Sequence, residues 1–333
     1  MNGFTVSFVE RRDPETSSIE KVFSVVGKML SARGIQIRHD KLSYGNSMAG
    51  MVANLFSRRP LPADIFHVTG HIHYYALLLP VKKTVLTIHD LHILRSRKGI
   101  RRFFLKKLFF DLPARRIKFI TVVSEQTKRE LMDITQCPDE KIRVIENPIT
   151  VKCSTHARPF NRSRPTFLQI GTTPNKNLSK LILALKGLEC DLRIIGRLDE
   201  NSLSLLRKHN IRFENLFEIS DSEMLDEYQN ADIVTFCSTS EGFGLPIIEA
   251  QAMMVPVITS NISPMSEVAG NSAVLADPYD AASIRSAIEI IIHDEKRRAD
   301  AVKAGLENVK RFQPDRIAQQ YEELYRAVLD QLN

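Results

Sequence analysis

The sequence has no framework for cross-links. Its four cysteines, Cys137, Cys153, Cys190 and Cys237, are scattered without a Cys-x-x-Cys or any paired spacing. That excludes a disulfide-stapled scaffold and a structural zinc site, and it fits a reducing compartment. Long apolar runs are missing too. The most apolar stretch, residues 74–81, is well short of the ~18 residues a membrane-spanning helix needs. No basic start precedes the short apolar run near the amino terminus, which reads as a first strand and not as a signal peptide. Asp-x-Asp occurs nowhere, so the simplest carboxylate pair for holding a divalent metal on a diphosphate is absent. Internal repeats and low-complexity tracts are lacking as well.

What remains is ordinary for a globular protein: 333 residues, 43% hydrophobic and 26% charged. At ~150 residues per domain the length favours two domains. The charge is uneven. Residues 1–150 hold 25 Lys+Arg against 14 Asp+Glu, and the remainder holds 21 against 25. The whole basic excess lies in the first half, which suggests either a large anionic partner or simply a basic surface.

Short β-branched runs at residues 5–9, 65–68, 84–88, 119–123 and 142–145 read as strands, with helical periodicity over residues 17–30 and after Ser124. Residues 150–165 lose periodicity, carry two prolines and read as a linker. A second alternating series follows: strands at 166–170, 192–195, 233–236 and 256–259, and helices at 177–188, 223–229, 246–253, 282–293 and 295–311. A last amphipathic helix runs from 314 to about 329. The expected class is α/β, with two Rossmann-like, doubly wound parallel-sheet domains facing across a cleft. The expected division is 1–150, a linker at 151–165, 166–313, and a carboxyl-terminal helix over 314–333. Ligands of such sheets bind beyond the carboxyl ends of strands.

The densest chemistry lies after the strand at 233–236. Glu241, Gly242, Phe243, Gly244 and Leu245 precede Pro246, with Glu249 eight residues after Glu241. The two glycines allow a close backbone approach, and Pro246 suits a first helical turn. Backbone N–H groups of Phe243, Gly244 and Leu245 would then form an anion site suited to a nucleotide diphosphate. A plain glycine turn with a dipole-favoured glutamate is the simpler alternative.

This segment resembles the E-x7-E motif of glycosyltransferase family 4, retaining enzymes of GT-B architecture. Other stretches agree in order: Thr87-Ile88-His89-Asp90-Leu91, residues 123–130 and 141–148, Ile170-Gly171 through Lys176-Asn177-Leu178, and residues 258–268. The resemblance implies that Glu241 contacts hydroxyls of the donor sugar, that Glu249 holds the donor ribose and that Lys176 pairs with the diphosphate. It also implies that His89 faces the donor sugar and that the carboxyl-terminal helix over 314–333 returns to pack on the first domain. Two places depart from the family. The loop over residues 11–20 is not glycine-rich. Thr172 and Asn175 stand where the phosphate loop often has an arginine, and Arg197 is either a second cation for the donor or an ordinary loop arginine.

Two further features are ambiguous. His67, His71 and His73 form H-x3-H-x-H with no acidic or cysteine partner nearby in sequence, and read as lining of an acceptor cleft more than as a metal site. The segment bounded by Arg95 and Lys118 holds ten basic residues and one acid, Asp111, interleaved with phenylalanines. It reads as one basic amphipathic helix, either an ordinary surface helix or a helix lying on an anionic membrane. No nucleic-acid motif accompanies it.

The expectation is a retaining, metal-independent glycosyltransferase needing no cofactor. It would move a sugar from a nucleotide-sugar donor, UDP- or GDP-linked, to an acceptor hydroxyl on a lipid-linked or cell-surface glycan intermediate. The expected location is the cytoplasm, with peripheral contact to the inner face of the membrane. The competing functions are a GT-B sugar-nucleotide epimerase, which needs no acceptor, and a non-catalytic nucleotide-sugar binding protein, against which intact Glu241, Glu249 and Lys176 argue.

Overall fold

The computed structural model describes residues 3–12, 18–45, 47–57, 60–95, 97–156 and 158–332. The chain forms two compact units, Met1–Thr150 with Gln313–Asn333, and Val151–Phe312.

In the first unit, six parallel strands form one sheet in the order 2-1-3-4-5-6: β1 (Thr5–Glu10), β2 (Gln36–Lys41), β3 (Ile65–Val68), β4 (Thr84–Ile88), β5 (Phe119–Val122) and β6 (Ile142–Val144). The connections hold α1 (Ser18–Ala32), α2 (Met48–Phe56), a 3-10 segment (His73–Leu78), α3 (His92–Arg95), α4 (Gly99–Lys106), α5 (Leu112–Arg116) and α6 (Glu125–Thr135). The helix expected over residues 17–30 is α1, and Ser17 lies outside the described residues. β3 and β4 are buried at every position, as strands covered on both faces must be.

The second unit repeats the plan with β7 (Thr166–Ile170), β8 (Asp191–Ile195), β9 (Arg212–Leu216), β10 (Ile233–Phe236), β11 (Val257–Ser260) and β12 (Val274–Ala276). Its order is 12-11-10-7-8-9, again parallel throughout. Its helices are α7 (Leu178–Leu185), α8 (Glu200–Lys208), α9 (Asp221–Asn230), α10 (Leu245–Ala252), α11 (Met265–Ala269), α12 (Ala281–His293) and α13 (Glu295–Val309). The unit begins with irregular chain anchored by its own polar groups. The Ser154 N–H donates to the Ala252 carbonyl at 2.8 Å, and the Asn161 N–H donates to Asp232 at 3.0 Å.

The last helix, α14 (Pro314–Asp330), belongs to the first unit. Its apolar stripe carries Tyr321 and Tyr325 into an aromatic cluster with Phe23 of α1 and His67 of β3. Arg33 follows α1 and pairs with Asp315 at 2.8 Å and Glu322 at 2.6 Å.

The segment from Arg95 to Lys118 is helical without interruption over residues 99–116, as α4, a π-type turn over Lys107–Asp111 and α5, while Arg95 ends the separate α3. The extra residue in the π turn rotates the helical faces. Phe109 and Phe110 therefore enter the core, while Phe103 and Phe104 stay 58% and 60% exposed.

A candidate donor-binding site

Each sheet changes direction once, and a crevice opens at that switch beyond the carboxyl ends of the flanking strands. In the second unit the switch lies between β7 and β10. Lys176 follows the first of these strands and Glu241 the second.

The loop after β7 turns at Gly171, with φ +89°, and a Cβ there would stand 2.8 Å from Lys176 Cγ. Only glycine lets the lysine stem lie back across the strand end. Lys176 Nζ reaches Glu241 Oε1 at 2.7 Å and sits 4.5 Å from the centroid of the Phe236 ring. The two side chains are 20% and 13% exposed. Asn175 Nδ2 donates to the Ser240 carbonyl at 3.0 Å and to Glu241 Oε1 at 3.2 Å. Asn177 is buried at φ +60° and donates to the carbonyls of Cys237 (3.0 Å) and Pro278 (2.6 Å). This pair of asparagines stitches together the loops after β7, β10 and β12.

Beyond Glu241, Gly244 is the N-cap of α10, at φ +118°, and no side chain caps that helix. An uncapped first turn keeps N–H groups and the positive end of the dipole for an anion. Phe243 turns its ring into the core, 5.7 Å from Phe312, so only its backbone belongs to the site. Leu245 is the first residue of α10. Gly242 joins Glu241 to this turn. Glu249, in the second turn, accepts a hydrogen bond at Oε2 from the Tyr228 hydroxyl at 2.7 Å. Burial and the carboxylate push the Tyr228 phenol well above its usual value, so it stays protonated and donates.

Thr172 and Arg197 come together differently from the expectation of two donor-binding side chains. Thr172 Oγ1 donates to the Arg197 carbonyl at 2.7 Å. The Arg197 guanidinium pairs with Glu218 and lies 5.0 Å over the Phe217 ring. It is a loop arginine with its own partner in this state.

The first unit has its switch between β1 and β3. Arg11, after β1, pairs with Glu20 at 2.6 Å. His71, after β3, has Nε2 3.5 Å from Asp90 Oδ2 after β4, so the three-dimensional fold supplies the acidic neighbour that the local sequence lacks. Burial alone would raise the Asp90 carboxyl, but His71, His92 and the His92 N–H outweigh it and hold it below its usual value. His89 is 5% exposed, and its Nε2–H donates to the Thr69 carbonyl at 2.8 Å. Burial holds its pKa down to about 4. The ring is therefore neutral near pH 7, an acceptor through Nδ1 and not an acid. Of the loop over residues 11–20, residues 13–17 lie outside the described residues.

The reading of three histidines as cleft lining is corrected for two of them. His67 is wholly buried between the Tyr325 hydroxyl (2.6 Å) and Thr87 Oγ1 (2.7 Å). His73 is wholly buried against Phe109 and Phe110. β3 is an interior strand and the 3-10 turn packs on the core, so these rings point inward.

Two family models match the chain in tandem. Residues 1–152 match Glycosyltransferase Family 4, and residues 156–308 match Glycosyl transferases group 1. The chain belongs to this glycosyltransferase family. The enzyme is 28% identical over 298 residues to the O-antigen chain mannosyltransferase RfbU of Salmonella typhimurium, a match spanning 80% of this chain and 82% of that one. It is also 28% identical over 263 residues to O-antigen chain mannosyltransferase B of Escherichia coli, covering 70% of this chain and 67% of the relative. The fold of this glycosyltransferase is GT-B. Its likeness to sucrose-phosphate synthase from Thermosynechococcus elongatus has a TM-score of 0.81 at 17% identity, over 98% of this chain and 100% of that one.

The sequence places Asn175 in the phosphate loop without showing its bond to Glu241, and it assigns no part in these sites to Asn177, Tyr228 or the His71–Asp90 contact. Asn177 carried a faint signal, because a left-handed residue at a helix start is commonly Gly or Asn. Tyr228 carried none, being one apolar position on an amphipathic helix.

Proposed function

We propose that this glycosyltransferase transfers a mannosyl group, with retention, from a GDP- or UDP-linked donor to a hydroxyl of a lipid-linked or cell-surface glycan intermediate. The sugar and acceptor classes rest on the O-antigen mannosyltransferase relatives. The observation that carries the donor site is the Lys176–Glu241 pair, at the β7/β10 switch beside the uncapped start of α10.

In this reading the diphosphate enters between Lys176 and the first turn of α10. Lys176 exchanges its partner Glu241 for the phosphate, and Glu241 turns to hydroxyls of the donor sugar. Glu249 accepts from the ribose. The acceptor oxygen bonds to the anomeric carbon as the bond from that carbon to the leaving phosphate oxygen breaks, and the acceptor proton passes to that phosphate. The protein supplies position and stabilises the leaving anion, so the reaction runs without a metal. Thr172 holds the Arg197 loop beside this site, and His89 acts through its Nδ1 lone pair.

The test is transfer by purified protein from GDP-mannose and from UDP-hexoses onto a polyisoprenyl-diphosphate oligosaccharide, followed by NMR. Mannosyl transfer with retained configuration, undiminished in excess chelator, is the expected result. Inverted product overturns the stereochemistry, and activity restored only by Mg²⁺ or Mn²⁺ overturns the metal-free route.

Attachment to an anionic membrane surface is part of the same proposal, and it places the enzyme on the cytoplasmic face. Among the described residues, no helix is long and apolar enough to cross a membrane. Support comes from α4, which exposes Ile100, Phe103 and Phe104 beside exposed Arg101, Arg102 and Lys107. Lys106 is paired with Asp111 at 2.8 Å and contributes less. Each unpaired cation near an anionic surface adds roughly 1 kcal/mol, screened by salt. The protein should sediment with anionic liposomes at low salt and leave them at high salt. Changing Arg101, Arg102 and Lys107 to Ser should remove that binding and spare donor affinity. Equal partitioning onto neutral and anionic liposomes would return α4 to an ordinary surface helix.

A further inference from the structure

Tyr228 has no place in the transfer chemistry described above, yet it makes a direct contact with a residue assigned to the donor. It lies in α9, whose register is set at its start by a capping box. Ser220 Oγ accepts the Glu223 N–H at 3.2 Å, and Glu223 accepts the Ser220 N–H at 2.7 Å. Near its other end the helix is clamped to β8, because buried Glu227 takes both Arg193 Nε and Nη2. The next residue, Tyr228, is rotated about 100° around the helix. Its ring is 0% exposed, and its hydroxyl emerges at Glu249 Oε2.

We propose that Tyr228 is a positioning residue for the donor. Held rigidly by α9, it fixes the Glu249 carboxylate in the orientation that receives the ribose hydroxyls. This rests on the reading of Glu249 as the ribose ligand.

A buried tyrosine hydroxyl needs an acceptor, and a backbone carbonyl would serve. A carboxylate is a costlier partner, since its charge must be kept partly out of water. It has about four acceptor positions, and Tyr228 takes one of them on Oε2. A free glutamate chain has several rotamers, and ordering it on binding would weaken donor affinity. The Tyr228 bond orders it in advance.

The test is calorimetric titration of the full chain with GDP, UDP and ADP, and with the 2′,3′-dideoxy analogue of whichever binds most tightly. Tyr228→Phe keeps the buried ring, and its melting curve reports whether the fold is intact. This variant should weaken the ribonucleotide about tenfold, the scale of one hydrogen bond to a charged group, and change dideoxynucleotide binding less than about twofold on the same basis. A second variant, Glu249→Ala, should abolish the preference for ribose. An equal loss on both nucleotides, or no loss on either, with Tyr228→Phe overturns the role of Tyr228 and leaves Glu249 at the ribose. If Glu249→Ala keeps the ribose preference, or no nucleotide binds the parent protein, the ribose reading itself falls and this inference falls with it.

Discussion

Glu241→Gln and Lys176→Ala are each expected to lower kcat by about two orders of magnitude or more, the scale of removing one anion-stabilising group. The two side chains meet at 2.7 Å with little exposure, so either substitution also leaves its partner unpaired in a poorly solvated place. In the proposed reaction, Lys176→Ala takes away the cation that would meet charge developing on the leaving phosphate. Glu241→Gln keeps the size and the Asn175 contact but removes the negative charge that, in the same proposal, would support the positive anomeric centre. Because the pair acts as a unit, the double variant should lose less than the product of the two single losses. Glu249→Ala should instead raise the donor KM, since ribose contacts exist before and during the reaction alike. The measurement is kcat at saturating donor. Near-normal turnover by Glu241→Gln would remove it from the reacting centre.

Acid should unfold the first unit early. His67 and His73 are wholly buried, with pKa values held down to about 3, and His89 is held down to about 4, in each case chiefly by burial. In the unfolded chain each titrates near 6.5. The unfolded state therefore binds more protons below that pH, and stability must fall as pH falls. The stabilisation is complete above pH 6.5 and is lost progressively down towards pH 3–4. Each histidine contributes up to about 1.4 kcal/mol per pH unit, less near pH 6.5 where the unfolded ring is half protonated, so three remove roughly 5 kcal/mol between pH 6.5 and 5. His39 works in the opposite sense. Its hydrogen bond to Glu10 raises its pKa and outweighs its burial, so one histidine offsets part of the loss. The melting temperature should drop by roughly 10–20 °C between pH 7.5 and 5. His67→Gln should flatten the slope, since it removes one of the buried histidines that titrate in this sense, His71 being a further one. A melting temperature unchanged across that range would show that these rings are not held neutral.

Interior strands are legible, and most edge strands are not. β3, β4, β7 and β10 are interior strands, and their apolar runs mark them within a residue. β2, β9 and β12 carry no such run, and all three are sheet edges, whereas the fourth edge, β6, is marked by its β-branched Ile142 and Val144. β2 reads Gln-Ile-Arg-His-Asp-Lys and is only partly covered. An edge strand takes its hydrogen bonds from one neighbour and needs no apolar run, so local sequence carries little trace of it. Periodicity marks the basic segment as helical but cannot register a single inserted residue, and the π turn that buries Phe109 and Phe110 is such an insertion.

Local sequence determined the α/β alternation, and with it the two parallel sheets. It also marked the loops after strands where Lys176, Glu241, His89 and Asp90 lie. It could do so because strand burial, glycine-permitted turns and helix starts are decided by neighbours in the chain. Only the tertiary structure decided who meets whom. Lys176 and Glu241 are 65 residues apart, and the β7/β10 pairing brings them to 2.7 Å. The same holds for Tyr228 with Glu249, for Arg197 turning to Glu218, and for His67 closed between Thr87 and Tyr325. Those contacts depend on sheet order and on the return of α14 to the first unit, and these are set by the packing of whole elements around two cores, not by any pattern along the chain.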